Sequence, residues 1–181
     1  MIQQQWTYKL FDEAMAKSIA DEFSLPPIIA KIMALRGIVN REQSRHFFFP
    51  DRDKLHSPFL MKDMEKAVVR LHEQIESGNS IVVFGDYDVD GTSGTSLLYL
   101  FLKSLGVEVH YYIPDRENEG YGLSKKGIEY AQYIDANLLI TCDCAINAFA
   151  QIEYANEMGV DVIITDHHKP DEKLPKAFAI L

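Results

Sequence analysis

The chain has 181 residues, is 47% hydrophobic and 25% charged, and carries a net charge of −9. That is the make-up of one medium domain, or of a domain with an extension, and no apolar run approaches the roughly 18 residues of a membrane span. The acidic balance argues against a broad basic surface for nucleic acid but leaves a nuclease open, because metal-binding carboxylates count in the total and a bound metal reverses their local field.

In chain order, Met1-Ile2-Gln3-Gln4-Gln5-Trp6 has neither the basic nor the apolar region of a signal peptide. Phe11, Met15, Ile19 and Phe23 recur every four residues and predict a one-faced helix. Pro26-Pro27 opens a second helix with Ile28, Ile29, Ile32 and Leu35 apolar and Gly37 at its end. A third, short helix is expected over 41–48, then a loop between Pro50 and Pro58. Asp63 is placed to cap a helix carrying Met64, Ala67, Val68, Leu71 and Ile75, closed by Ser77-Gly78-Asn79. The aromatic run Phe47-Phe48-Phe49 is read as packing in preference to base stacking.

Beyond residue 80 the pattern changes. Strands are predicted at 81–84, 107–113, 138–142 and 160–165, with a last piece near 177–181, and helices at about 92–105, 124–134 and 147–158. Gly106 and Gly159 sit where helix C-caps belong. The alternation predicts an α/β fold, a parallel Rossmann-like sheet with helices on both faces, preceded by a small helical region. The division expected is 1–62 for the helical region and 63–181 for the sheet domain. Cys142 and Cys144, one residue apart, make no disulfide framework, which reads as a reducing cytoplasm; they are expected to be small buried residues, since zinc would want about four ligands at recognisable spacing.

The hexapeptide Asp86-Tyr87-Asp88-Val89-Asp90-Gly91 carries the chemistry. Three carboxylates this close repel one another, and a divalent cation is the usual remedy. Carboxylate oxygens suit magnesium, manganese or calcium. The spacing also opens an EF-hand calcium loop, but the bidentate Glu such a loop needs six residues after its Gly is Leu97 here, and a strand precedes the motif where a helix should. A polar turn capping the next helix is the bland alternative.

In parallel sheets ligands bind beyond the carboxyl ends of the strands. Three predicted strands end in Asp86 with Asp88 and Asp90, in Asp143, and in Asp166-His167-His168. All three groups therefore share one edge, where five carboxylates and two imidazoles suffice for two metals that position a hydroxide and neutralise a phosphate. With the next helix expected to start at Thr92-Ser93, its N-terminal amides are also placed to face a phosphate.

Asp86-x-Asp88-x-Asp90-Gly91-x-x-Gly94, the lone Asp143 and Asp166-His167-His168 resemble the DHH phosphoesterase superfamily, named for the last motif. Ile113-Pro114-Asp115-Arg116 followed by Glu119-Gly120-Tyr121-Gly122-Leu123 is similar to the RecJ branch, as are the helical start and the stretch from Pro58 to Met64. The resemblance implies a manganese- or magnesium-dependent phosphodiesterase with two ions, which removes 5′-mononucleotides from single-stranded DNA in the 5′→3′ direction and serves DNA repair and recombination. It implies Asp86, Asp88 and Asp90 in the first motif, with Asp88 and Asp90 as direct ligands. Asp143 is the implied bridge between the metals, His167 the imidazole ligand, and Asp166 the group that orients the site. His168 is implied to contact the scissile phosphate or leaving group. Arg116, Gly120, Tyr121 and Gly122 are implied at the DNA, with Ser93 beside them. The implied partners are single-stranded DNA, a single-strand-binding protein and a helicase, with no membrane.

Phe84 stands where many relatives carry a metal-binding His, and Ala145 where the family usually has Gly, at a cost of roughly a kilocalorie per mole if that backbone has positive φ. The family's fourth metal motif and its second domain have no counterpart before Leu181, so the expectation is a fragment with an incomplete metal site. Two other readings stay open: a DHH phosphodiesterase or pyrophosphatase acting on short oligonucleotides or small phosphates, and a catalytically incomplete binding domain.

Overall fold

The computed structural model describes residues 7, 9–38 and 40–181; the segment read for a signal peptide lies outside the described residues. The chain divides into two compact units, one reaching to His56 and one from Ser57 to Leu181. The division expected was after 62. It falls earlier because the short turn Pro58–Leu60 packs against the helix that follows it.

In the first unit, α1 (Glu13–Phe23) begins where Asp12 accepts the Met15 amide at 3.0 Å. α2 (Pro27–Leu35) starts on Pro27, whose missing N–H costs nothing at a helix start. The two pack through Ile19, Ala30 and Met33, with Phe23 and Leu25 against them. α3 (Arg41–Phe48) is capped by Asn40, which accepts the Gln43 amide. Phe48 meets Phe23 and Phe47, but Phe47 and Phe49 stay more than half exposed, so the packing expected of the aromatic run is only partly present.

The second unit holds α4 (Met64–Glu76), β1 (Ile81–Gly85), α5 (Val89–Ser104), β2 (Val109–Tyr112), α6 (Lys125–Tyr133), β3 (Leu138–Cys142), α7 (Phe149–Glu157), β4 (Asp161–Thr165) and β5 (Ala179–Ile180). Among the described residues the strands form one parallel sheet in the order β2-β1-β3-β4-β5. Side chains alternate between its faces. Val82, Phe84, Leu139, Val162 and Ile164 meet α6 and α7 through Ile128, Ala131, Ile152 and Ala155. Ile81, Val83, Leu138, Ile140 and Ile163 meet α4 and α5 through Ala67 and Leu102. Both faces are therefore covered, which is why these strands are continuous apolar runs.

Polar residues close the amino end of the sheet. Arg70 of α4 lies 2.7 Å from Asp161, donates to Gln74 at 2.9 Å and reaches the Asn137 carbonyl. Buried Gln74 donates to Ser80 O and to Asn137 Oδ1. Asp63 occupies the N-cap position of α4 but makes no capping bond; its carboxylate accepts the Ile180 amide at 3.2 Å and so ties the β5 edge to α4.

Candidate metal centre

The chain leaves β1 outward for β2 and returns past β1 to β3, so β1 and β3 flank a topological switch point, the crevice where open parallel sheets bind ligands. Gly85 pairs with Cys142 and Cys142 with Thr165. The residues that follow, Asp86, Asp143 and Asp166, therefore stand side by side on one edge. Two glycines make the first turn possible. A Cβ at Gly91 would lie 2.5 Å from the Asp86 nitrogen, and one at Gly85 would lie 2.6 Å from the Gly91 oxygen. Side chains do not fit there, and α5 starts pressed against the end of β1.

α5 begins at Val89, one turn before the expected Thr92. Asp88 is its N-cap and accepts the Gly91 amide at 3.0 Å. The Thr92 amide is already bonded to the Asp88 carbonyl, so it does not face a ligand as expected. Ser93 is exposed on α5. Asp90 is exposed in the first turn and lines, with Asp143, Asp166 and His167, a cavity of about 420 Å³.

Asp143 occupies left-handed backbone at φ 62, held by its amide on the Thr165 carbonyl at 2.9 Å. Its side chain is 9% exposed, and Oδ1 is shielded from solvent and receives no backbone or hydroxyl hydrogen bond. His167 Nε2 lies 2.9 Å from that oxygen, an ion pair when the ring is protonated, and His168 Nδ1 lies 3.8 Å away. One donor atom from each of Asp143, His167 and His168 lies within 4.8 Å of the others. Burial and the nearby Asp88 charge push the Asp143 carboxyl up, against the pull of the two histidines. A shielded carboxylate oxygen with two imidazole nitrogens close by is a donor set that fits a divalent cation.

Asp166 is held differently. Oδ2 accepts the Ile146 amide at 2.9 Å, and Oδ1 accepts the His168 amide at 3.1 Å and ring Nδ1 at 2.7 Å. Burial alone would raise its pKa, but these bonds outweigh burial and hold the carboxyl below its usual range. The same bond raises the pKa of His168. A carboxylate cannot donate, so His168 carries its proton on Nδ1 and turns Nε2 outward. Asn147 clamps the chain just beyond: it donates to Lys169 O and accepts the Asp171 amide at 2.9 Å. That residue was read only as the start of a helix, and nothing in its sequence neighbourhood signals the clamp.

Asp86 is buried, 1% exposed, and accepts the Gly122 amide at 3.4 Å. Like Asp88 and Asp90, it lies outside the close group of Asp143, His167 and His168. Gly120 and Gly122 both have φ near +80°, where a side chain would be strained. Between them Tyr121 places its hydroxyl 3.4 Å from the Asp143 carbonyl and from the His168 ring. Arg116 stacks on Tyr87, 5.4 Å from the ring centre. Cys142 and Cys144 are buried, and burial pushes both thiols up, which keeps them protonated and inert. Ala145 sits at φ 87, the positive value that makes Gly the usual residue there.

A parallel sheet whose switch point carries acids after two strands and an Asp-His-His run after a third defines an α/β domain with a divalent-metal-type edge. The chain belongs to the DHH family: the family's N-terminal domain matches residues 80–181. It is 35% identical over 177 residues to the single-stranded-DNA-specific exonuclease RecJ of Bacillus subtilis, covering 98% of this chain and 22% of that protein. The Escherichia coli RecJ is 36% identical over 161 residues, covering 87% of this chain and 27% of the relative. Among solved structures, manganese-bound RecJ from Thermus thermophilus superposes with a TM-score of 0.67 at 28% identity, over 95% of this chain and 24% of that one. Another manganese-bound exonuclease RecJ gives 0.58 at 39% identity, over 64% of this chain and 29% of that one. The chain thus spans about a quarter of the length of the relatives it matches.

Proposed function

We propose that this chain carries the metal-binding part of a manganese- or magnesium-dependent nuclease that hydrolyses single-stranded DNA from its 5′ end, releasing 5′-mononucleotides. The observation that carries the reading is the shielded Asp143 oxygen, which lies 2.9 Å from His167 Nε2 and receives no backbone or hydroxyl hydrogen bond. In this reading Asp143 and His167 hold the cation, with Asp88 and Asp90 completing the acidic wall. Two divalent ions held there would lower the pKa of a water and neutralise phosphoryl charge. Asp166 holds His168 with Nε2 outward, and the raised basicity of the ring lets it donate to a phosphate oxygen or to the departing 3′-oxygen. The new bond joins the water oxygen to phosphorus, and the bond from phosphorus to the 3′-oxygen breaks. Arg116, Gly120, Tyr121, Gly122 and Ser93 are assigned to the strand itself. The relatives' specificity for single-stranded DNA supports this substrate over small phosphates. A single-strand-binding protein and a helicase as partners, and a cytoplasmic setting, belong to the same proposal; no described helix is long and apolar enough to cross a membrane.

The test is manganese titration calorimetry together with an assay on 5′-phosphorylated single-stranded DNA. Binding and mononucleotide release, both lost in Asp143→Ala, are expected. Absence of manganese binding, or release unchanged by that substitution, overturns the proposal.

A further inference from the structure

The loop between β2 and α6 is organised around one carboxylate that none of the chemistry above uses. Glu119 accepts from three parts of the chain at once. Tyr112 Oη, at the end of β2, lies 3.0 Å from Oε2; the Asp115 amide lies 3.1 Å from Oε1; Ser124 Oγ, the N-cap of α6, lies 2.6 Å from Oε2. Asp115 supports the same turn, accepting the amides of Glu117 and Asn118, while its carbonyl takes the Glu119 amide at 2.8 Å. Glu119 is thus joined to both ends of a loop that would otherwise pay the entropy of ordering without a core. Immediately after it come Gly120, Tyr121 and Gly122, which deliver an amide to buried Asp86 and a hydroxyl to the Asp143–His168 pair.

We propose that Glu119 is a positioning residue: it presets the loop so that the Gly122 amide and the Tyr121 hydroxyl stand at the metal edge before substrate arrives. It touches neither metal ligands nor substrate, and acts through Tyr121 and Gly122. The inference rests on the metal-site reading above, but its first readout does not depend on catalysis.

Glycine-labelled amide NMR of the whole chain separates the two. In Glu119→Ala, the Gly120 and Gly122 amides are expected to shift toward random-coil values and exchange with water at least tenfold faster. Gly91 and Gly94 in α5 stay in place as internal references, and Glu119→Gln, which keeps one acceptor, restores most of the protection. In the cleavage assay, the cost of Tyr121→Phe should be measurable in the native background and disappear in Glu119→Ala. An unmoved Gly122 amide in Glu119→Ala, or an equal cost of Tyr121→Phe in both backgrounds, overturns the proposal. If the native chain releases no nucleotide, the nuclease reading fails and the amide readout alone decides the role of Glu119.

Discussion

The two ends of the sheet in the second unit carry polar clusters of similar size and opposite character. At the amino end, Arg70, Gln74, Asn137 and Asp161 satisfy one another, each donor with an acceptor in reach. At the carboxyl end, Asp143 Oδ1 is hidden from water and has ring nitrogens of His167 and His168 as neighbours in place of fixed donors. A shielded carboxylate held only by ring nitrogens, and by no backbone or hydroxyl donor, keeps part of its desolvation cost. The closed cluster is a structural clasp; the open one is shaped for something from outside. Burial and polarity alone do not separate them, whereas counting hydrogen-bond partners does.

The contrast breaks most severely at Gly91. Gly91→Ala puts a Cβ against the Asp86 backbone, so the β1–α5 turn must shift. A loss of about 3 kcal/mol is expected in chemical denaturation, together with manganese affinity, because the same turn aims Asp88 and Asp90.

Asp143 comes next, and here the two ends should part. Asp143→Asn should weaken manganese binding on the order of 100-fold, since a ligand is removed rather than one of its supports. Stability of the metal-free chain should move the other way. The Asp143 carboxyl is raised on folding, so its contribution is present below the unfolded pKa and lost as pH rises through the folded one. Above the carboxylate range, metal-free Asp143→Asn should therefore melt no lower than the native chain, and a lower melting temperature would show that the pair with His167 outweighs the cost of burial.

The clasp should respond in the opposite sense. Arg70→Met strands Gln74 and Asp161, and because Asp161 is 42% exposed the cost is expected at about 1–3 kcal/mol rather than that of a fully buried pair. Manganese affinity should be unchanged; a change would mean the two ends are coupled. The smallest effect is expected at Ala145, whose φ of 87 is strained for a side chain. Ala145→Gly should stabilise the chain by about 0.5–1 kcal/mol without altering metal binding.

Much of the architecture was legible from residue pattern. The β-branched runs and the glycines after helices locate strands and helices to within a few residues, because strands buried on both faces have no alternative composition. That Asp86, Asp143 and Asp166 share an edge followed from each coming directly after a strand. The errors lie where local signals compete. Thr92-Ser93 looked like a helix start, but Asp88 caps one turn earlier and its carbonyl takes the Thr92 amide. Asp63 looked like a side-chain cap, but its carboxylate reaches a strand 117 residues away.

The sequence by itself determined the alternating architecture, the inventory of acids and imidazoles, and the edge they occupy, since all three depend on periodicity and on order along the chain. Only the tertiary structure decided which acids are alike. Asp86 is buried on a loop amide, Asp166 is saturated by Ile146 and His168, and Asp143 is left open beside His167. The difference lies in hydrogen-bond partners that are brought in from distant segments by the closing of the sheet, and no local pattern of residues encodes them.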